Sequence, residues 1–383
     1  MGGERFLVLG AGMMGRAIAY DLVRTRGKDC ISVLDNDDTA VKAIEDWLDV
    51  DAQVLNIRTG EALRNHLERS NAVIVALPYD LNVPVMVQAI ESGCHFCDLG
   101  GNDPIVRTQL AMDDKAREMD VLCIPDCGLA PGMANVLAVH LITEFEMVDS
   151  LTIRVGGLPQ NPKPPLNYQL FFSVGGLINE YVEECKTLRG GRISLVRPMT
   201  DIESLTFEGL GELEAFNTSG GTAWLPEILE DKVQTLDYKT IRYPGHCEAM
   251  REILENGFSY EGEFASGIDQ RELLESLLAR SLSGDDPDVV LVRVSAEGEV
   301  DGEARGTTLE IVDRYDAEND ITAMMRTTSF PTSIIIQMAV DNKIRDRGVR
   351  TPEMCVPGKD FMDELAKRDI MVKRVVEKRT APV

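Results

Sequence analysis

No stretch of this 383-residue chain approaches eighteen consecutive apolar residues, so nothing in it reads as a membrane span. Basic residues are also scarce: 39 Lys and Arg stand against 64 Asp and Glu, a formal charge of −25. A surface of that sign repels nucleic acid and anionic membranes, which excludes both as expected partners. Internal repeats and low-complexity segments are absent, and no signal peptide is expected, because the sequence enters an apolar strand at once. The eight cysteines lie mostly in apolar runs, as at Cys30, Cys97 and Cys123, which suits reduced thiols in a cytoplasm. Cys94 and Cys97, three apart on an expected strand, point to opposite faces, so no metal site is expected. What remains is ordinary globular composition, 44% hydrophobic and 27% charged, with length for about two or three domains.

The informative stretch is Val8-Leu9-Gly10-Ala11-Gly12-Met13-Met14-Gly15. A short apolar run precedes it, and Met14, Ile18 and Leu22 recur after it at helical spacing, the context that a dinucleotide fingerprint requires. Gly10 allows a tight turn off the strand, Gly12 lets backbone approach a pyrophosphate, and Gly15 lets helix and strand come together. The N–H groups of the first helical turn, at Met13 and Met14, then face phosphate. A second apolar run ends in Asp35, twenty residues past Gly15. A carboxylate there accepts from ribose hydroxyls and repels a 2′-phosphate, pointing to NAD over NADP. The alternative is that Asp35 only caps the next helix.

Strand and helix patterns alternate to about residue 125, giving six strands and a doubly wound parallel sheet of Rossmann type. Ligands bind beyond the carboxyl ends of such strands. Cofactor candidates are therefore Gly10, Gly12, Met13, Met14 and Gly15, then Asp35 and Asn36, Leu77 and Pro78, and Asp98 and Gly100, with Asn56 and Ile57 at the adenine edge. Beyond Ile124 strands dominate, predicting a second, α+β domain with a mixed sheet over 126–320, suited to holding substrate. A helix from Ile321 to Arg345 and the chain to 383 are expected to return to the first domain, and the tail beyond Glu377 reads as loose.

Three clusters in the second domain carry polar chemistry. Leu158 to Tyr168 is a stiff, proline-rich loop. Phe216-Asn217-Thr218-Ser219-Gly220-Gly221-Thr222 ends a strand in hydroxyls and backbone N–H groups, a candidate carboxylate nest built on Thr218, Ser219 and Thr222. Arg242, at another strand end, is placed to grip a carboxylate, and His246, just beyond, to serve as a general base near neutral pH. Each has a plain structural alternative, an ion pair for Arg242 and a helix cap for His246. His66 and His140 read as structural, and Cys127 has no evident activating partner.

Gly10–Gly15, Asp126-Cys127-Gly128-Leu129-Ala130-Pro131-Gly132, Val155-Gly156-Gly157-Leu158-Pro159 and Thr240-Ile241-Arg242-Tyr243-Pro244-Gly245-His246 together resemble the saccharopine dehydrogenase-like family, nearest its lysine 6-dehydrogenase branch. The resemblance implies an NAD-dependent oxidoreductase that deaminates the ε-amino group of L-lysine and forms homodimers, homotetramers or larger assemblies. It implies proton handling by His246, Asp126 or Tyr168, with Arg242, Thr218, Ser219 and Thr222 on the carboxylate. Two departures bear on substrate: Ala130 replaces an acid found in saccharopine-forming reductases, and their loop arginine has no counterpart near Asn217–Ser219. Rival readings are a saccharopine or carboxynorspermidine type reductase, and an NAD-binding redox sensor without turnover.

Overall fold

Two short apolar runs, Phe6–Leu9 (β1) and Ala72–Val75 (β4), are buried along their whole length. Strands of that kind are covered on both faces, which is why they carry no polar alternation. The computed structural model describes residues 4–59, 61–257 and 269–378. Around β1 and β4 lie Ile31–Asp35 (β2), Asp51–Val54 (β3), His95–Asp98 (β5) and Leu122–Ile124 (β6). All pair in parallel in the order β6-β5-β4-β1-β2-β3, so the strand order reverses between β1 and β4. That reversal opens the crevice in which doubly wound sheets bind ligands. The helix Asp38–Leu48 that follows β2 is capped by Asp37, which accepts from the N–H groups of Thr39 and Ala40. Capping is therefore not the task of Asp35.

The chain forms two units: Met1–His140 with Met325–Met371, and Leu141–Met324 with Val372–Val383. The first thus runs past the expected boundary at 125, because the helix Met133–Ile142 mostly belongs to it. In the second unit Met147–Pro159 (β7), Cys185–Arg189 (β8), Arg192–Val196 (β9), Glu203–Phe207 (β10), Gly211–Asn217 (β11), Val233–Arg242 (β12), Asp288–Val300 (β13) and Glu303–Arg314 (β14) form one mixed sheet. Only β7 and β12 pair in parallel; the other neighbours are antiparallel. Three strands escape the sequence pattern, the first being β8, which pairs with β9 and β12. Gly348–Val349 (β15) adds a seventh strand beside β6, and Lys373–Lys378 (β16) joins β14 in the second unit instead of returning to the first. Between β5 and β6 the chain forms two short helices, Asp103–Leu110 and Asp113–Glu118.

Register fixes the site in the second unit. At Gly156 of β7 a Cβ would lie 2.5 Å from the Ile241 carbonyl oxygen. Glycine there lets β7 and β12 close up at the strand end that carries Arg242.

Candidate active site

In the first unit the glycine-rich turn has the geometry that each glycine predicts. Gly10 sits at φ +104°, where a Cβ would meet the Ala76 carbonyl at 2.4 Å, and a Cβ on Gly15 would stand 1.8 Å from the Gly10 carbonyl. Gly12 is different: nothing lies within 4 Å of its Cβ position. It is the extended N-cap of helix Met13–Arg26 and offers no side-chain cap. An uncapped 14-residue helix start with open space before it is suited to an anion.

Asp35 stands beside this turn. One oxygen accepts from Ala11 N at 2.6 Å and the other from Asp37 N at 2.9 Å. The carboxylate therefore ties the glycine turn to the loop after β2, with acceptor capacity left over. Past β2 and β4 a cavity of about 160 Å³ is lined by Asn36, Asn56, Ile57, Leu77 and Pro78, together with Arg58. Whole-ligand pockets run to roughly 300–1,000 Å³, so this one suits a single base ring. Arg58 is held by Asp80 at 2.9 Å.

Asp98 is committed within the protein. It is fully buried: one oxygen accepts from Gly100 N at 2.9 Å and Asp126 N at 3.0 Å, the other from Gln109 Nε2 at 2.6 Å. Its role is to hold the loops after β5 and β6, which corrects its assignment as a cofactor contact. Gly100 stays partly exposed on the first of those loops. Asp126, on the second, is buried with φ +62°, and one oxygen accepts from Gly101 N at 3.3 Å. Burial, then the negative charges of Asp98 and Glu353, push its carboxyl well above the usual range. Burial thus favours the protonated form of this acid.

In the second unit Arg242 is buried among aromatic rings. Its Nε donates to Tyr181 Oη at 2.9 Å, its Nη1 to the Ile241 carbonyl at 2.9 Å, and its Cζ lies 4.4 Å from the Tyr168 ring centroid. Tyr181 in turn donates to His246 Nε2 at 3.0 Å, while His246 Nδ1–H donates to the Leu166 carbonyl at 2.8 Å. Both ring nitrogens are engaged. Burial, with Arg242 nearby, pushes His246 down to about 3. A neutral imidazole whose lone pair is already taken is no general base near pH 7, so His246 is corrected to a positioning residue for Tyr181 and Arg242. Tyr168 is lifted to about 12 by burial, although Arg242 pulls the other way; it stays a phenol and a donor.

The loop after β11 is built differently from an open nest. Thr218 Oγ1 pairs with Thr240 Oγ1 at 2.6 Å, and Ser219 Oγ donates to the Asn179 carbonyl at 3.2 Å. The N–H groups of Ser219, Gly221 and Ala223 donate to the carbonyls of Glu180, Ser219 and Gly220. Thr218, Ser219 and Thr222 are all buried. Three of the N–H groups needed for a carboxylate nest are thus already used, and the loop is better described as a brace under the Arg242 cluster.

Residues 6–124 match the family model described as the saccharopine dehydrogenase NADP binding domain, and 128–371 that of the saccharopine dehydrogenase C-terminal domain. The chain belongs to the saccharopine dehydrogenase family. Among curated relatives, the mitochondrial alpha-aminoadipic semialdehyde synthase of Rattus norvegicus is 23% identical over 66% of this chain, and the alpha-aminoadipic semialdehyde synthase of Arabidopsis thaliana 24% over 57%. The aligned segments cover 28% and 21% of those longer proteins. Among solved structures, apo saccharopine dehydrogenase (L-Glu forming) from Saccharomyces cerevisiae superposes with a TM-score of 0.82 at 18% identity, covering 98% of this chain and all of that one. This family member is accordingly an oxidoreductase with a dinucleotide-binding domain. No described helix is long and apolar enough to cross a membrane.

Sequence reading missed two members of the Arg242 cluster, Glu180 and Tyr181. Both lie on the helix Val174–Val182, whose apolar character reads as plain core. The available signal was weak: Glu180 is the sole acid within that helix, but Asn179 precedes it and Glu183 and Glu184 follow.

Proposed function

We propose that this chain catalyses NAD-dependent oxidative deamination of the ε-amino group of L-lysine, giving 2-aminoadipate 6-semialdehyde. The observation that supports lysine is a count of open cations. The buried cations described in the second unit are Arg154, Lys239 and Arg242. Arg154 is taken by Glu203 and Asp237, and Lys239 by Glu203 and the Asp201 carbonyl. Arg242 alone keeps a nitrogen, Nη2, with no hydrogen bond among the described residues, its nearest acid, Glu180, standing off at 3.9 Å. Saccharopine has three carboxylates and lysine one, so a single open guanidinium suits the smaller substrate.

The Gly10–Gly15 turn and the Asn36, Asn56, Leu77 cavity are the residues that would hold NAD. Asp35, with Asp37 and Asp38 beside it, favours NAD because their charges repel a 2′-phosphate. NAD, when bound, supplies the acceptor for the hydride that leaves C6 of lysine. Arg242 holds the substrate carboxylate, the Tyr168 hydroxyl donates beside it, and Tyr181 with His246 fixes the guanidinium.

An absorbance screen for NADH, using purified protein with amino acids and polyamines, tests this reading. Lysine alone should give NADH. Turnover of lysine only when 2-oxoglutarate and a reduced cofactor are supplied would replace the reading with a saccharopine-forming reductase. Tight NAD binding without turnover of any amine would replace it with a sensor.

A further inference from the structure

The helix Val174–Val182 brings a carboxylate to the Arg242 cluster, and no role above uses it. Glu180 Oε2 stands 3.9 Å from Arg242 Nη2, and the acid keeps 30% of its side-chain surface exposed. An acid that served only to neutralise the guanidinium would close to about 2.7–2.9 Å, often through both oxygens. This one stops short. Among the described residues neither Glu180 oxygen accepts a hydrogen bond, and the Tyr168 hydroxyl makes none. Three polar groups with unused capacity therefore converge: the Glu180 carboxylate, Arg242 Nη2 and the Tyr168 phenol.

Resting on the proposed reading of the Arg242 site, we infer that Glu180 and Arg242 together recognise the zwitterionic head of an α-amino acid, Arg242 taking the carboxylate and Glu180 the α-ammonium. The chemistry of such a head explains the spacing. Its two charges sit on one carbon, so they need an acid and a cation side by side but not joined to each other. Desolvation lifts Glu180 to about 7, against the pull of Arg242 at 3.9 Å, so an arriving ammonium gives it the hydrogen-bonded cation it lacks. The other titratable groups facing it, Tyr168, Tyr181 and Tyr238, are pushed up by burial and remain neutral phenols. Glu180 is in this scheme a specificity residue for the α-amino group and takes no part in hydride loss.

Equilibrium binding to the full chain with saturating NADH, in place of NAD so that no probe is turned over, tests this with four probes: L-lysine, 6-aminohexanoate, L-norleucine and hexanoate. Lysine should exceed 6-aminohexanoate, and norleucine exceed hexanoate, each by roughly ten- to a hundredfold, the range of a hydrogen bond to a charged group. Glu180→Gln should bring both ratios close to one, and Glu180→Asp should keep part of each. Ratios near one in the wild type, or ratios that survive Glu180→Gln, would overturn the inference without any need for the variant to be active. Preference for norleucine over hexanoate, in a protein that makes no NADH from lysine, would uphold the head-group site and remove lysine deamination. NADH formed equally well from lysine and 6-aminohexanoate would do the reverse.

Discussion

Arg242 shows how much of a binding group's design lies in what holds it still. Its Nε and Nη1 are committed to Tyr181 and the Ile241 carbonyl, and Tyr181 is fixed by a neutral His246, so only Nη2 is offered outward. Losing a buried charge-assisted contact typically costs about 2–5 kcal/mol. Arg242→Ala should therefore lose most of its kcat/KM for lysine while NAD affinity stays near wild type. Arg242→Lys should not restore it, because an ammonium cannot reproduce the fork that binds Tyr181 and substrate together. Unchanged lysine kinetics in either variant would move the carboxylate elsewhere. Asp35 calls for a milder change than alanine, since its carboxylate also holds Ala11 N and Asp37 N. Asp35→Asn retains an acceptor and removes the charge, so the ratio of NAD to NADP affinity should fall. A wild type that prefers NADP, or a variant with the same ratio, would contradict the assignment. Arg242 and Asp35 were legible because each ends a strand. Glu180 and Tyr181 were not, because their meeting with Arg242 depends on where a helix some sixty residues earlier in the chain lies against β12.

Among the elements, the turn from β1 into its helix separates folding from binding within six residues. A methyl on Gly15 would collide with the Gly10 carbonyl at 1.8 Å, whereas one on Gly12 would meet no protein atom. Gly12 also has φ −69°, which alanine adopts without strain. Gly12→Ala should thus keep its thermal stability within about 0.5 kcal/mol yet bind NAD weakly. Gly15→Ala should lower the melting temperature as well. Calorimetry with and without NAD distinguishes the two, and a Gly12→Ala protein that binds NAD normally would place the pyrophosphate elsewhere. The turn, β1 and β4 were readable because their apolar runs and glycines are local signals. β15 was not, being only two residues long, and β16 has the sequence Lys-Arg-Val-Val-Glu-Lys, whose mixed charges mark it as tail until β14 provides a partner. Edge strands often carry such charges, and a local pattern cannot tell them from loose chain.

For the molecule as a whole the question is which carbon of the substrate reacts. A site that commits Arg242 to the carboxylate, with Glu180 on the α-ammonium, ties down both groups on C2. Hydride loss from C2 would require that same amino group to become an imine, which conflicts with its being held as a charged donor. The far end of an extended lysine is free of that conflict. Hydride leaves readily only from a carbon bearing a neutral amine, and the free ε-ammonium has a pKa of about 10.4, so the rate should rise toward alkaline pH. His246, held near 3, and Tyr168, near 12, add no inflection between pH 5 and 9, whereas Glu180, lifted to about 7, should add one to kcat/KM for lysine as its carboxylate forms. Lysine deuterated at C6 and, separately, at C2 decides the matter when each is incubated with NAD and the NADH is examined for label. Deuterium should arrive from C6 only. Label from C2 would mean that the α-amino group is the one oxidised, and the assignment of Arg242 and Glu180 to the non-reacting end of the substrate would fall with it.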